Sequence, residues 1–378
     1  MQENQKKSQQ IYDHVVIGSG LSGLLVATSL SQHSPNVLLL EGLENYGGLN
    51  RPQDGLLGPT NNGLRFLPDS ELAVNAADFV QNLMDLPIGA KSEENPLITY
   101  EAGGFRPFLG FGENPPPFYE ELLYFLSPKQ LSLALQPLQW PQALFNKFKG
   151  EFLPRSYVTK FHEDGDSVTA VTINGQKTVR AKHFVYCGPV QDLLVLLPEN
   201  GLSAKAKQKL SRGKFWTALC LDFLHGQTIC QNTAMHVLNG ANQDEVGHCV
   251  GRFQETQADG TQISQWVTFL EHEDAEDSEL VGQTLRKMKR QLKRIYPQAL
   301  DGLKFERILL APSIAGSGDL KLNANQTLPP YINFWLGSGT VNAQRNLLGA
   351  LLQAEMVTNS ILSNQLAAQK GAEAVLSL

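Results

Sequence analysis

At 378 residues the chain exceeds what one hydrophobic core usually serves, which predicts two domains; 42% hydrophobic, 18% charged and 8% aromatic residues exclude disorder, collagen and coiled coil as descriptions of the whole. Its 31 basic and 37 acidic side chains leave a formal charge of -6, a field that repels phosphate backbones, so no nucleic-acid partner is expected. The cysteines Cys187, Cys220, Cys230 and Cys249 have no paired spacing, which points to free thiols in a reducing compartment. A polar N-terminus and the lack of any long uninterrupted apolar run predict neither a signal peptide nor a spanning helix, and the expected location is cytoplasmic.

In chain order, the apolar run Val15-Val16-Ile17 is followed by Gly18-Ser19-Gly20-Leu21-Ser22-Gly23, a helical stretch from Leu24 to Leu30, and a second run ending Leu38-Leu39-Leu40-Glu41. This is a βαβ unit. Both runs lack alternation, as parallel strands covered on both faces do, so the sheet is expected to be doubly wound. From about residue 68 the character changes, with a helix predicted around Glu71 to Met84 and an aromatic-rich tract to Phe148. Between Tyr157 and Val185 the pattern is of hairpins, with turns at Asp164-Gly165 and Asn174-Gly175. Strands are predicted near Trp216 to Phe223, Gly247 to Phe253 and Ile263 to Leu270. A helix over Leu280 to Tyr296 carries Leu285, Met288, Leu292 and Ile295 at helical spacing and acids before its basic end, which suits the helix dipole. Its run of Arg286, Lys287, Lys289, Arg290, Lys293 and Arg294 is expected to be a solvated face. A strand over Tyr331 to Leu336, a Gly337-Ser338-Gly339 turn and a helix from about Leu348 to Ser363 close the pattern.

The context gives the glycines their meaning. Gly18 permits the turn out of the strand, Gly20 lets backbone approach a pyrophosphate, and Gly23 lets the helix pack on the strand; Leu21 and Ser22 lie where a helix N-terminus offers free N–H groups to phosphates. Glu41, 18 residues after Gly23, can accept both ribose hydroxyls and would repel a 2′-phosphate. FAD and NAD share this unit, and the following Glu41-Gly42-Leu43-Glu44-Asn45-Tyr46-Gly47-Gly48-Leu49-Asn50-Arg51 chooses between them. Its glycine pair and basic residue lie where the chain would pass back under a pyrophosphate and towards an isoalloxazine.

With these motifs the chain resembles the flavoprotein superfamily that includes amine oxidases, protoporphyrinogen oxidases and phytoene desaturases. The resemblance implies an α/β fold: a Rossmann-like FAD-binding domain from residues 11–67, 155–200 and 328–365, with an inserted α+β substrate domain from 68–154 and 201–327. It implies FAD contacts at Gly42, Gly47, Gly48, Leu49 and Arg51, the arginine standing three positions after the glycine pair. It carries further contacts over to Gly58-Pro59-Thr60, to Val158, to Cys187-Gly188 and to Gly337-Ser338, with Leu348 after them; Ser338 stands where the family usually has an acid. The implied activity is FAD-dependent removal of hydride from a C–N or C–C bond of an apolar or amine small molecule. The alternatives are a flavin-binding protein without turnover and an NAD-dependent dehydrogenase.

Cys220, His225, Cys230, His236, His248 and Cys249 match no spacing of tetrahedral metal ligands, and no metal is expected. No catalytic residue is assigned; Lys214 is a candidate base by position alone. The tract Leu122 to Phe145 holds one charge, Lys129, and three prolines, Pro128, Pro137 and Pro141, which forbid one spanning helix. It is read as substrate-domain core or, through Trp140, as a lid or peripheral membrane contact that admits a hydrophobic substrate.

Overall fold

The structure, a computed structural model, describes residues 10–52, 55–58, 60–316, 320–344 and 346–376. The expected βαβ unit is present as strand Ile11–Ile17, helix Leu21–His33 and strand Val37–Leu40, the two strands pairing in parallel. Their sheet has the order Glu151–Leu153, Val37–Leu40, Ile11–Ile17, Lys177–Tyr186, Ser167–Ile173, Val158–Asp164, and Phe334–Leu336 pairs with the end of Lys177–Tyr186. All pairs are parallel except the two hairpins. The turn at Asn174-Gly175 has both residues at positive φ, 51° and 70°, as a tight hairpin turn requires. The helix Leu21–His33 is buried from Leu21 to Ser31, its leucines, Val26 and small residues on every side, because it packs between the sheet, the helix Trp140–Lys147 and the long helix Asn346–Leu376.

The strands of the first sheet come from residues 11–40, 158–186 and 334–336, and from one place more. Glu151–Leu153 pairs with Val37–Leu40 and lies before the expected boundary at 155; the Glu41 N–H donates to the Leu153 carbonyl at 3.1 Å, and the Ser156 N–H to the Glu41 carbonyl at 2.7 Å. The chain thus rejoins the sheet along the open edge of the second strand.

The second sheet has the order Leu303–Gly316, Phe215–His225, Gln262–Glu271, Cys249–Phe253, Met235–Leu238, Leu97–Glu101, Gly104–Pro107. Its first strand, Met235–Leu238 and the hairpin of its last two were not expected. Every residue of Phe215–His225 is buried, in keeping with its place between two long neighbours. Helix Ser278–Ile295 lays Met288, Leu292 and Ile295 on one face of this sheet, capped by Asp277, which accepts from the N–H groups of Glu279 and Leu280. Three of its basic residues pair with acids: Lys289 with Glu306 at 2.6 Å, Arg290 with Asp244 at 3.2 Å and Arg294 with Glu245 at 2.5 Å.

Of the two readings of the apolar tract, Trp140 takes the core one. Its side chain is fully buried and donates from Nε1 to the Leu135 carbonyl at 2.9 Å, and Leu122, Phe125, Leu131 and Leu144 join the same core. A ring enclosed in this way offers nothing to a lipid surface, so Trp140 is not a membrane contact. Among the described residues no helix is long and apolar enough to cross a membrane.

Candidate dinucleotide and substrate site

Because Ile11–Ile17, Val37–Leu40, Lys177–Tyr186 and Phe334–Leu336 run parallel, Gly18, Glu41, Cys187 and Gly337 all emerge at one edge of the sheet. Ligands of open α/β sheets bind outside the C-terminal ends of the strands, and this edge is that place. Gly18 has φ +96°, a conformation that glycine adopts freely, and its N–H donates to the Leu40 carbonyl at 2.8 Å. A methyl on Gly23 would collide with the Gly18 carbonyl oxygen, so the helix can sit this close to the strand only with glycine there. A methyl on Gly20 would meet nothing within 4 Å. That open space lies beside a helix start that no side chain caps and that has no acid in its first turn, so the N–H groups at Leu21 and Ser22 are left for an anion. Ser22 Oγ is turned away, donating to the Ala350 carbonyl at 2.8 Å.

The return segment closes against this loop. The Gly47 N–H donates to the Ser19 carbonyl at 2.8 Å, Gly20 and Gly47 form a parallel bridge, and a methyl on Gly48 would stand 3.0 Å from the Gly20 Cα. Glu41 holds the loop from the second strand: its Oε2 accepts from the Ser19 N–H at 2.8 Å and Ser19 Oγ at 2.5 Å, and its Oε1 from the Leu43 N–H at 2.9 Å. A carboxylate has about four acceptor positions, so ribose hydroxyls can still be received. Beside it, Gly42 lies under the exposed ring of Tyr157, whose neighbour Val158 begins the next strand.

Other expected contacts take different places. The Leu49 and Arg51 carbonyls accept from Asn62 Nδ2 at 2.9 and 2.7 Å, while the Arg51 side chain is half-buried with no ion-pair partner among the described residues. The Cys187 N–H donates to the Ile17 carbonyl, and its Sγ lies against Gly337; burial pushes this thiol up to about 12, so it stays protonated. Gly188 lies against the Tyr186 hydroxyl. Ser338 is buried and its Oγ shares a hydrogen bond with Thr340 Oγ1 at 3.0 Å, and the Leu348 side chain is buried in the core at the start of the last helix. Pro59 lies outside the described residues.

Gly58 and Thr60 form one lip of a 660 Å³ cavity between the two halves of the molecule. Its walls come from the 56–65 segment, from Gln130, and from Arg252, Phe253, Gln254 and Gln265 of the second sheet. This lining is mainly polar. Lys214 is not part of it: its Nζ stands 3.8 Å from Glu271 at an exposed position, and no lysine lines the cavity among the described residues. The weighed histidines have other partners. His225 Nε2 lies 2.8 Å from Ser264 Oγ, and the Tyr296 hydroxyl lies 2.5 Å from His236 Nε2.

Sequence reasoning passed over Asp222, Gln265, Arg307, Arg65 and Arg252. A usable signal was present, since Asp222 and Arg252 are lone charges inside apolar strands, where charge is rarely buried without a purpose.

Comparison with known proteins agrees with this geometry. A family model of an NAD(P)-binding Rossmann-like domain matches residues 16–68. Over 50 residues the chain is 50% identical to the flavin-containing amine oxidase A of Bos taurus, a match that covers 13% of this chain and 10% of that enzyme. An oxidoreductase from Methanosarcina mazei superposes with a TM-score of 0.66 at 13% identity, over 92% of this chain and 99% of the other. Cyclohexylamine oxidase from Brevibacterium oxydans does so with a TM-score of 0.65 at 12% identity, over 94% and 100%. A putrescine oxidase, solved with putrescine bound, gives 0.63 at 12% identity, over 94% and 99%. The resemblance drawn from the motifs is therefore shown at the level of fold: a Rossmann-like dinucleotide-binding unit within the architecture of amine oxidases and related oxidoreductases.

Proposed function

We propose that this chain is an FAD-dependent oxidoreductase that removes hydride from a C–N or C–C bond of a small molecule held in the 660 Å³ cavity. The observation that carries the reading is the meeting, at one edge of one sheet, of an open glycine loop, an uncapped helix start, Glu41 on the second strand and the Gly47-Gly48 return. The residues present fit the cofactor: the space beside Gly20 is what a diphosphate needs, and no acid stands at the helix start to repel it. The N–H groups at Leu21 and Ser22 would hold the diphosphate, Glu41 the ribose hydroxyls, and Gly47 and Gly48 would let the chain pass close beneath. The Glu41 carboxylate would also disfavour a 2′-phosphate, which argues against NADP.

Bound there, FAD would supply a two-electron acceptor for hydride. The chain itself binds and orients: Gly58 and Thr60 give the lip, and the polar wall holds the substrate. With no lysine in the lining among the described residues, the amine substrate would have to lose its proton to solvent or to a carboxylate at the rim. The same absence, together with Ser338 turned onto Thr340, favours a second reading in which the chain binds flavin without turnover. Release of bound cofactor by heat, followed by its identification, tests the first proposal: FAD at one equivalent is expected, and a colourless protein that takes up NADH but no FAD overturns it. Substrate-dependent bleaching of the flavin in the absence of oxygen separates enzyme from silent binder.

A further inference from the structure

Four polar residues stand opposite one another across four adjacent antiparallel strands of the second sheet: Arg307, Asp222, Gln265 and Arg252. Partners in register share a face, so this is one polar row on a face whose other buried residues, such as Ala218, Cys220, Val250 and Val267, are apolar. Three members are occupied by the main chain of residues 60–63. Arg307 Nη2 donates to the Asn61 carbonyl at 2.8 Å, Asp222 Oδ2 accepts from the Gly63 N–H at 3.1 Å, and Gln265 Nε2 donates to the Asn61 and Gly63 carbonyls at 2.8 and 2.9 Å. The fourth, Arg252, reaches beyond that segment into the cavity wall.

Arg252 is held in place with no carboxylate in ion-pair contact among the described residues, and Glu93 acts on it only from farther off. Its Nη1 donates to Gln130 Oε1 at 2.9 Å, and its guanidinium lies over the Phe66 ring, 5.6 Å from the centroid. Arg65, in the same wall, donates from Nε only to the Asn62 carbonyl at 3.3 Å. Among the described residues neither has a carboxylate within ion-pair distance, whereas Arg155, Arg290, Arg294 and Arg307 each have one. Tyr124, stacked on Phe66 at 5.1 Å, has a buried hydroxyl with no hydrogen-bond partner. The acids that line the cavity, Glu93, Glu94 and Glu255, are exposed, and Glu94 is paired with Lys129 at 3.2 Å. Partly desolvated guanidinium groups without a counter-ion are costly, and their planar fork matches a carboxylate.

We infer that the cavity takes a carboxylate-bearing substrate, its carboxylate received by Arg252 with Arg65 beside it. The inference rests on the reading of this cavity as the substrate chamber and narrows the substrate class from an amine or apolar molecule to an organic acid, an amino carboxylate being the form that also carries an oxidisable C–N bond.

Titration calorimetry on the purified protein, its flavin content measured first, tests this with phenylacetate and phenethylamine, which share ring and chain length and differ in charge. Phenylacetate is expected to bind at least about tenfold more tightly, and Arg252→Gln to weaken it about 10- to 100-fold, the range of a charge-assisted hydrogen bond, with flavin content and melting temperature unchanged. Equal binding of the two probes, no binding of phenylacetate, or wild-type affinity in Arg252→Gln overturns the inference. Should Arg252→Gln fail to fold, Arg65→Gln and the wild-type ratio of the two probes decide the matter. A preparation without flavin that still prefers phenylacetate supports the carboxylate site while counting against the FAD reading, so the two fail separately.

Discussion

Arg307 and Asp222 face each other in register on neighbouring strands, and Arg307 Nε and Nη2 both donate to Asp222 Oδ2, at 3.1 and 2.8 Å. Both side chains are buried, and together they bind the main chain at Asn61 and Gly63, so the pair pins the cavity lip of the dinucleotide half to the sheet of the other half. Burial pushes the Asp222 carboxyl up, and Arg307 pulls it back down.

Removing one partner of such a pair leaves a buried charge uncompensated. Asp222→Ala is expected to lower the free energy of unfolding by about 3–5 kcal/mol, measured by denaturant titration. A loss below about 1 kcal/mol would show that water replaces the carboxylate.

Two glycines of one motif should respond in opposite ways. Gly20→Ala meets open space and has an ordinary negative φ of -61°, so the melting temperature of the cofactor-free protein should hold while FAD affinity falls. Gly23→Ala drives a methyl into the Gly18 carbonyl and should lower both. Unchanged FAD affinity in Gly20→Ala would mean that the space beside the loop holds no phosphate.

Glu41→Ala removes an acceptor for Ser19 and Leu43 as well as for ribose. FAD binding is expected to weaken by about 1.5–3 kcal/mol, with Glu41→Gln losing less, as read by fluorescence titration.

His225 and His236 are buried, and burial pulls both from the ordinary 6.5 down to about 4. Between those values the unfolded chain binds protons that the folded one does not, so stability rises with pH there and is lost as pH falls from 6.5 towards 4. Melting temperatures across this window should fall with acid, and His236→Gln should flatten the fall; a flat wild-type profile would show that these rings protonate in place.

Residues 15–41 specify the βαβ unit without help from the rest of the chain. Strand, glycines, helix, strand and acid are contiguous within residues 15–41, and each requirement is local: a positive φ at Gly18, no side chain at Gly20 and Gly23, a carboxylate at the end of the next strand. The Asn174-Gly175 hairpin and the apolar stripe of Ser278–Ile295 were legible for the same reason. Where distant segments meet depends on the folded chain. Glu151–Leu153 became a strand because the edge of Val37–Leu40 was open to it, a fact that three residues cannot announce. Trp140 was ambiguous because an apolar ring satisfies core and lipid alike, and only the packed neighbours made it core. The row Arg307, Asp222, Gln265 and Arg252 spans more than eighty positions of sequence, and no local period marks it. Register between strands put those four side chains on one face, and that register, set by pairing across the sheet, left Arg252 facing the cavity with no carboxylate in ion-pair contact among the described residues.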